Sequence, residues 1–272
     1  MGAWGECPVR LVSLCPSNTE IAIALGCADQ LVGVDDWSDS AEVAGRPRVG
    51  SDLSADMDRI ADLKPDLVLA SLSVPGMERN VAALAARRLP YVVLDPETLE
   101  GTLESILLAG DAIGVRERAR QVVGELRDRI AAAAARAVPG SPSLYWEWWP
   151  KPLITPGRDS WITEMSRLAG GRNVFADLEA RSRPVADADV LSRAPDFVLL
   201  CWCGTLQRVQ RVDAVAKRPG WDQLEAVRSG RVFTLPERLF GRPGPLLVDG
   251  VELLVDLLNG AQIPQSMAPT SG

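Results

Sequence analysis

Short apolar runs bounded by proline and turn residues alternate along the chain with segments of helical period, and that alternation predicts its elements. Val9–Leu14, between Pro8 and Pro16, reads as a buried strand. A helix follows through Leu25, capped by Ser17 or Asn18 and stopped by Gly26. Leu31–Val34 and Asp66–Ala70 read as strands on either side of a helix over about Ala55–Leu63. Met77–Arg88 is then a helix and Tyr91–Leu94 a strand. Helices alternating with short Val/Leu strands indicate a parallel sheet covered on both faces.

The second half repeats this grammar. Leu144–Trp148, Asp196–Cys201 and Arg231–Leu235 read as strands, and Asp159–Leu168 and Leu246–Leu258 as helices. The letters repeat too, since Lys64-Pro-Asp-Leu-Val-Leu-Ala70 matches Ala194-Pro-Asp-Phe-Val-Leu-Leu200. Between the halves, Val115–Val138 holds no proline and one glycine, Gly124. Its Ala119, Val122, Val123, Leu126, Ile130 and Ala133 keep helical spacing. Such a helix would run roughly 35 Å and is expected to lie across both halves as a stiff connector. The expected fold is α/β: two similar lobes with mainly parallel sheets, one long bridging helix and a ligand cleft between the lobes. The expected boundaries are 1–113, 114–138 and 139–260, with 261–272 a flexible tail.

Composition narrows the function. At 272 residues, two lobes are natural. A net charge of −7 argues against nucleic acid or an anionic membrane as the main partner. No run of about 18 apolar residues is present to span a bilayer. The first ten residues lack a basic segment followed by an apolar one, so the chain reads as cytoplasmic if Met1 is the native start. It reads as periplasmic or cell-surface if a leader was removed. Five cysteines, Cys7, Cys15, Cys27, Cys201 and Cys203, fit free thiols better than a disulfide framework. Histidine is absent, which excludes Ser-His-Asp triads, Cys-His dyads and His-based zinc sites.

The richest chemistry lies in Leu144-Tyr-Trp-Glu-Trp-Trp-Pro-Lys-Pro-Leu-Ile-Thr-Pro-Gly-Arg158. Three of the eight tryptophans, Trp146, Trp148 and Trp149, fall within four residues. Strand alternation points Trp146 and Trp148 one way, Glu147 and Trp149 the other, and Pro150 and Pro152 stop the strand. Such a surface at a strand end suits a flat organic ligand. Strand carboxyl ends line the crevice in open α/β sheets. The ligand-binding candidates are therefore Pro16, Ser17, Asn18, Trp37, Ser71, Leu72, Trp148, Trp149, Pro150, Trp202, Cys203 and Arg242. Arg158 could meet a polar ligand group or form a surface ion pair. Cys201 and Cys203 have no second pair to complete a metal site and read as buried small hydrophobes.

The whole pattern resembles the helical-backbone substrate-binding proteins of ABC importers, a family that carries ferric siderophores, haem and cobalamin. Arg10-Leu-Val-Ser-Leu-Cys-Pro-Ser-Asn-Thr-Glu20 looks like its opening strand and cleft loop. Val32-Gly-Val-Asp-Asp-Trp-Ser-Asp39 resembles its second strand and loop, and Leu63-Lys-Pro-Asp-Leu-Val-Leu69 its strand-entry signature. The stretch from Trp146 to Arg158 is similar to the cobalamin-binding branch. So are Leu168-Ala-Gly-Gly-Arg-Asn173, Trp202-Cys-Gly204 and Arg218-Pro-Gly-Trp221.

The resemblance implies a non-enzymatic, monomeric carrier with no catalytic residues and no required cofactor. Its partners would be a small-molecule ligand and an ABC permease. The expected ligand is cobalamin or a related corrinoid, gripped by Trp37, Trp148, Trp149 and Trp202. The alternatives are a ferric siderophore or haem, the latter needing an axial Tyr91, Tyr145, methionine or cysteine. A permease would meet an acidic residue on each lobe: Glu78 on the first and, on the second, Glu237, because Leu239-Phe-Gly-Arg-Pro243 holds no acid. Two further readings stand beside this one: a cytosolic corrinoid carrier without a permease, and an enzyme on the doubled α/β frame. The enzyme lacks histidine, a glycine-rich phosphate loop and a tight acidic cluster.

Overall fold

The computed structural model describes residues 9–137, 140–204 and 210–260. Cys7, the end of the expected connector at Val138 and the tail from 261 lie outside them. The chain forms two compact units. The first contains the residues up to Pro96, Glu100–Arg127 and Pro243–Pro245. The second contains Glu97–Leu99, Asp128–Arg242 and the residues from Leu246.

In the first unit the order is β1 (Leu11–Ser13), α1 (Pro16–Ala24), β2 (Leu31–Val34), β3 (Gly50–Ser51), β4 (Ser54–Ala55) and α2 (Met57–Asp62). Then come β5 (Leu67–Ser71), α3 (Glu78–Arg87) and β6 (Tyr91–Leu94). The parallel sheet runs β2-β1-β5-β6, while β3 and β4 form a small hairpin. Val12, Val68, Ile60 and Leu84 are wholly buried in its core. Two helices follow, α4 (Leu99–Ile113) and α5 (Arg116–Ala135). The connector predicted over 115–138 is α5. Its Ala119, Val122, Val123 and Leu126 are buried, and further along Ala133 joins a core of the second unit.

The second unit continues with β7 (Ser143–Glu147), β8 (Trp149–Pro150), β9 (Leu153–Pro156), α6 (Trp161–Leu168) and β10 (Arg172–Asn173). Next are β11 (Ser182–Val185), α7 (Asp187–Arg193), β12 (Phe197–Leu200), α8 (Val212–Ala216) and α9 (Glu225–Arg228). It closes with β13 (Val232–Thr234), α10 (Glu237–Phe240) and α11 (Leu247–Leu258). Its parallel sheet runs β10-β7-β12-β13, the same order as in the first unit: second strand, first, third, fourth. Successive residues of β7 enter opposite cores, as a pleated strand requires. Leu144 and Trp146 join Trp161, Met165, Phe240 and Leu254 on one face. Tyr145 joins Phe175, Val198 and Trp221 on the other.

The sequence repeat has a structural cause in each unit. Lys64 and Ala194 both take the left-handed conformation, with φ of 48° and 42°. The proline after each directs the chain into the third strand. Asp66 Oδ2 then accepts the Arg10 amide at 2.8 Å, and Asp196 Oδ2 accepts the Ser143 amide at 2.7 Å. Each aspartate so ties the entry of the third strand to that of the first.

One expectation needs correcting. Pro150 and Pro152 do not end β7 in a plain loop. Trp149–Pro150 instead pairs antiparallel with β9, which pairs with β11 in a separate three-stranded sheet. Prolines are tolerated there because the strands are short and near edges.

Candidate functional site

Within each unit most candidate residues follow the carboxyl ends of strands, whereas Arg242 comes after α10. In the first unit α1 starts directly after β1, with Pro16 in its opening turn. Ser17 and Asn18 are buried rather than presented to solvent. Ser17 Oγ lies 3.3 Å from the Cys15 sulfur, and Asn18 Nδ2 donates to the Ala70 carbonyl at 3.0 Å. Asn18 thus fastens the helix start to the end of β5. Ser71 is buried, with its hydroxyl on Ser73 Oγ at 2.9 Å, while Leu72 is half-buried. Burial pushes the Cys15 thiol up to about 11, against hydrogen bonds from Ser17, the Asn18 backbone and Ser71.

Trp37 is the most exposed large apolar residue here, at 57%. The loop that carries it is built on a buried polar chain. Wholly buried Asp35 accepts the Trp37 amide on Oδ2 at 2.8 Å and the Ser38 hydroxyl on Oδ1. Ser38 Oγ is 2.8 Å from Thr19 Oγ1, which lies 2.8 Å from Ser13 Oγ. Arg48 Nη1 donates to the Asp35 and Ser38 carbonyls at 2.9 and 2.6 Å. An exposed indole on so well-anchored a loop is a preorganised contact surface.

In the second unit the tryptophans separate. Trp149 is 39% exposed, its ring nitrogen donating to the Lys151 carbonyl at 3.2 Å. Pro150 beside it is half-buried. Trp148 is only 9% exposed and packs on Trp161 with ring centroids 5.6 Å apart. Most of its ring belongs to the core. Trp202, just past β12, is half-buried, and its indole N–H donates to Glu147 Oε1 at 3.0 Å.

Glu147 is the centre that sequence reasoning missed. Its side chain is wholly buried, and four donors fill its two oxygens. Oε1 accepts from Trp202 and from Arg218 Nη2 at 2.8 Å; Oε2 accepts from Arg218 Nη1 at 2.5 Å and the Tyr145 hydroxyl at 3.2 Å. The Arg218 guanidinium also sits 4.7 Å over the Trp221 ring. Burial works against the Arg218 cation, but the Glu147 carboxylate outweighs it and raises its pKa. The available signal was an acid inside an aromatic strand, which must find a cationic partner when buried. The partner itself, 71 residues on, could not be read.

Three expectations change. Cys203 is exposed and only Cys201 is buried, because β12 ends at Leu200 and strand alternation stops there. Glu237 is not offered outward: its carboxylate accepts from Arg242 Nε at 2.8 Å, with both side chains 13% exposed. The same pair occupies Arg242. Arg158, read as either a ligand contact or a surface ion pair, forms the latter with Glu179 at 3.1 Å. Glu78 does stand on the surface, where its carboxylate accepts the Gly76 amide at 2.7 Å. Among the described residues no group of three or more Cys, Asp or Glu is placed to hold a metal ion. None of their helices is long and apolar enough to cross a membrane.

The sequence model of the family described as periplasmic binding protein matches residues 11–239. An uncharacterized ABC transporter substrate-binding lipoprotein of Bacillus subtilis is 32% identical over 262 residues, covering 92% of this chain and 79% of its own. A vitamin B12-binding protein of Photorhabdus laumondii is 29% identical over 255 residues, covering 93% of this chain and 88% of its own. Among solved structures, the periplasmic heme-binding protein from Roseiflexus sp. RS-1 superposes with a TM-score of 0.81 at 26% identity, over 93% of this chain and 99% of that one.

Proposed function

The chain belongs to the periplasmic binding protein family, and from that premise we propose that it captures cobalamin or a related corrinoid and passes it to an ABC permease, without catalysing a reaction. The observation that carries the reading is flat indole surface at the strand ends: Trp37 at 57% exposure, Trp149 at 39% and half-buried Trp202. A corrinoid, whose metal is already held by its own ring, needs faces and amides gripped rather than a protein ligand. The relatives named for vitamin B12 support this choice.

Haem is the second reading, raised by relatives named for heme. It asks for an axial donor. Tyr145 is wholly buried with its hydroxyl on Glu147. Tyr91 opens β6, at the amino end of its strand and roughly 10 Å from the carboxyl end. Exposed Cys203 is the soft donor at a strand end. Working with a permease, the protein would act on the outer side of the cytoplasmic membrane, which cell fractionation tests.

Titration calorimetry with cyanocobalamin, hemin and a ferric hydroxamate decides among the ligands. Cyanocobalamin should bind at micromolar Kd or tighter. Trp37→Ala and Trp149→Ala should each weaken it about ten- to hundredfold, the expectation for a truncated aromatic anchor. No heat and no co-elution at high micromolar cyanocobalamin would overturn the reading, and a Soret band shifted and sharpened relative to free hemin would favour the second.

A further inference from the structure

Trp202 is the one candidate wall residue whose side chain is tied to a buried charge. Its indole N–H reaches Glu147 Oε1 at 3.0 Å, and Glu147 is itself locked by Arg218 and Tyr145. The backbone is held as well. In the orientation that satisfies both its ends, the buried Gln210 amide donates to the Leu200 carbonyl at 2.7 Å and accepts the Trp202 amide at 3.2 Å.

We propose that Glu147 is a positioning residue of the ligand site: it takes the Trp202 indole donor inward and so fixes the ring as an apolar stacking face. Arg218, stacked on Trp221 and paired to both carboxylate oxygens, is the counter-ion that allows a carboxylate to stand there. A buried acid supporting only the fold could be replaced by an apolar residue together with its partner. An acid acting through Trp202 could not, because the indole N–H would lose its acceptor. The inference deepens the proposed function and rests on it for the ligand, while the positioning itself can be observed without any ligand.

Two neutral double variants separate the roles. Glu147→Gln with Arg218→Met removes the charges and keeps an acceptor facing Trp202. Glu147→Met with Arg218→Met removes both. With folding verified by circular dichroism, the first should bind cyanocobalamin nearly as the native protein does, and the second about tenfold more weakly. In the ligand-free protein, the Trp202 indole ¹H–¹⁵N resonance, assigned through Trp202→Phe, should move far upfield in the second and much less in the first, which keeps an acceptor. Equal affinities and an unmoved resonance would overturn the proposal. Should neither double variant fold, Trp202→Phe leaves the ion pair intact and should itself weaken binding about tenfold; native affinity in that variant would overturn the proposal. If the native protein binds no cyanocobalamin, the ligand reading fails, and the resonance still decides the positioning.

Discussion

At the scale of single residues, Trp37 and Trp148 mark the two extremes of exposure among the candidate indoles. Trp37 follows a strand in a polar loop, and it is exposed as that context implies. Strand alternation set Trp148 and Trp149 on opposite faces without telling which ring would be covered; Trp148 packs on Trp161 in the core, while Trp149 is left open. The repeated strand entry yields two predictions. Lys64 and Ala194 carry side chains at left-handed φ, a conformation costing roughly 1 kcal/mol relative to glycine. Lys64→Gly and Ala194→Gly should therefore leave the urea midpoint unchanged or raise it, although glycine loosens the unfolded chain. A clear loss of stability in both would contradict this reading of the turns. The second concerns Asp196, whose carboxyl lies below its usual range, chiefly because it accepts the Ser143 backbone N–H, against some desolvation. The folded form holds the proton less readily than the unfolded chain. Its stabilisation is thus complete above the ordinary carboxylate range and drains as pH falls through about 4 toward the lowered value. The group is largely solvated, so the gap between native protein and Asp196→Asn should be small at pH 7, about 1 kcal/mol or less. It should shrink further by pH 3, and a gap independent of pH would refute the assignment.

At the scale of elements, the parallel strands and most long helices could be read because buried strands are short apolar runs and helices carry a 3.6-residue period. The antiparallel sheet of β8, β9 and β11 could not. Pro150, Pro156 and Pro184 lie within those strands, and proline reads as a loop signal. Helix α4 also escaped, its period diluted by Gly101 and Gly110. Gly110 has a packing reason: a Cβ there would stand 2.3 Å from the Ala119 Cβ on α5. Gly250 of α11 is tighter against backbone, with a Cβ 2.3 Å from the Leu239 carbonyl oxygen. A carbonyl cannot rotate away as a side chain can, so α10 and α11 would have to separate. Gly250→Ala should therefore destabilise by about 1–3 kcal/mol despite the better helix propensity of alanine. Gly124→Ala, with open space around its Cβ, should stabilise α5 by up to about 1 kcal/mol. Chemical denaturation of the two variants checks the pair; stabilisation by both would show that helix propensity, not approach, governs these positions.

At the scale of the whole molecule, the two strand-end clusters differ in how they hold their aromatic faces. Trp37 rides on a loop fastened by a chain of hydroxyls to Asp35, whereas Trp202 is fastened by its own ring to a carboxylate paired with arginine. Neither arrangement involves the surface acid a permease would meet. Glu78 stands exposed at the first turn of α3, and its carboxylate accepts the Gly76 amide two residues back. Backbone hydrogen bonds keep its carboxyl below the usual range, so it is ionised wherever a transporter works. Glu237 differs in kind, since its charge is spent on Arg242 within a largely buried pair. Reversing the first charge should act on the partner and not on the protein itself. Glu78→Arg should leave the melting temperature and cyanocobalamin affinity as they are, while abolishing stimulation of the permease ATPase in proteoliposomes. Glu237→Gln should do the opposite, lowering the melting temperature by removing the carboxylate charge from a largely buried ion pair, with stimulation retained in whatever fraction stays folded. If Glu237→Gln folds normally and blocks stimulation, the second unit's docking acid is Glu237 after all, and the ion pair must open when the permease binds.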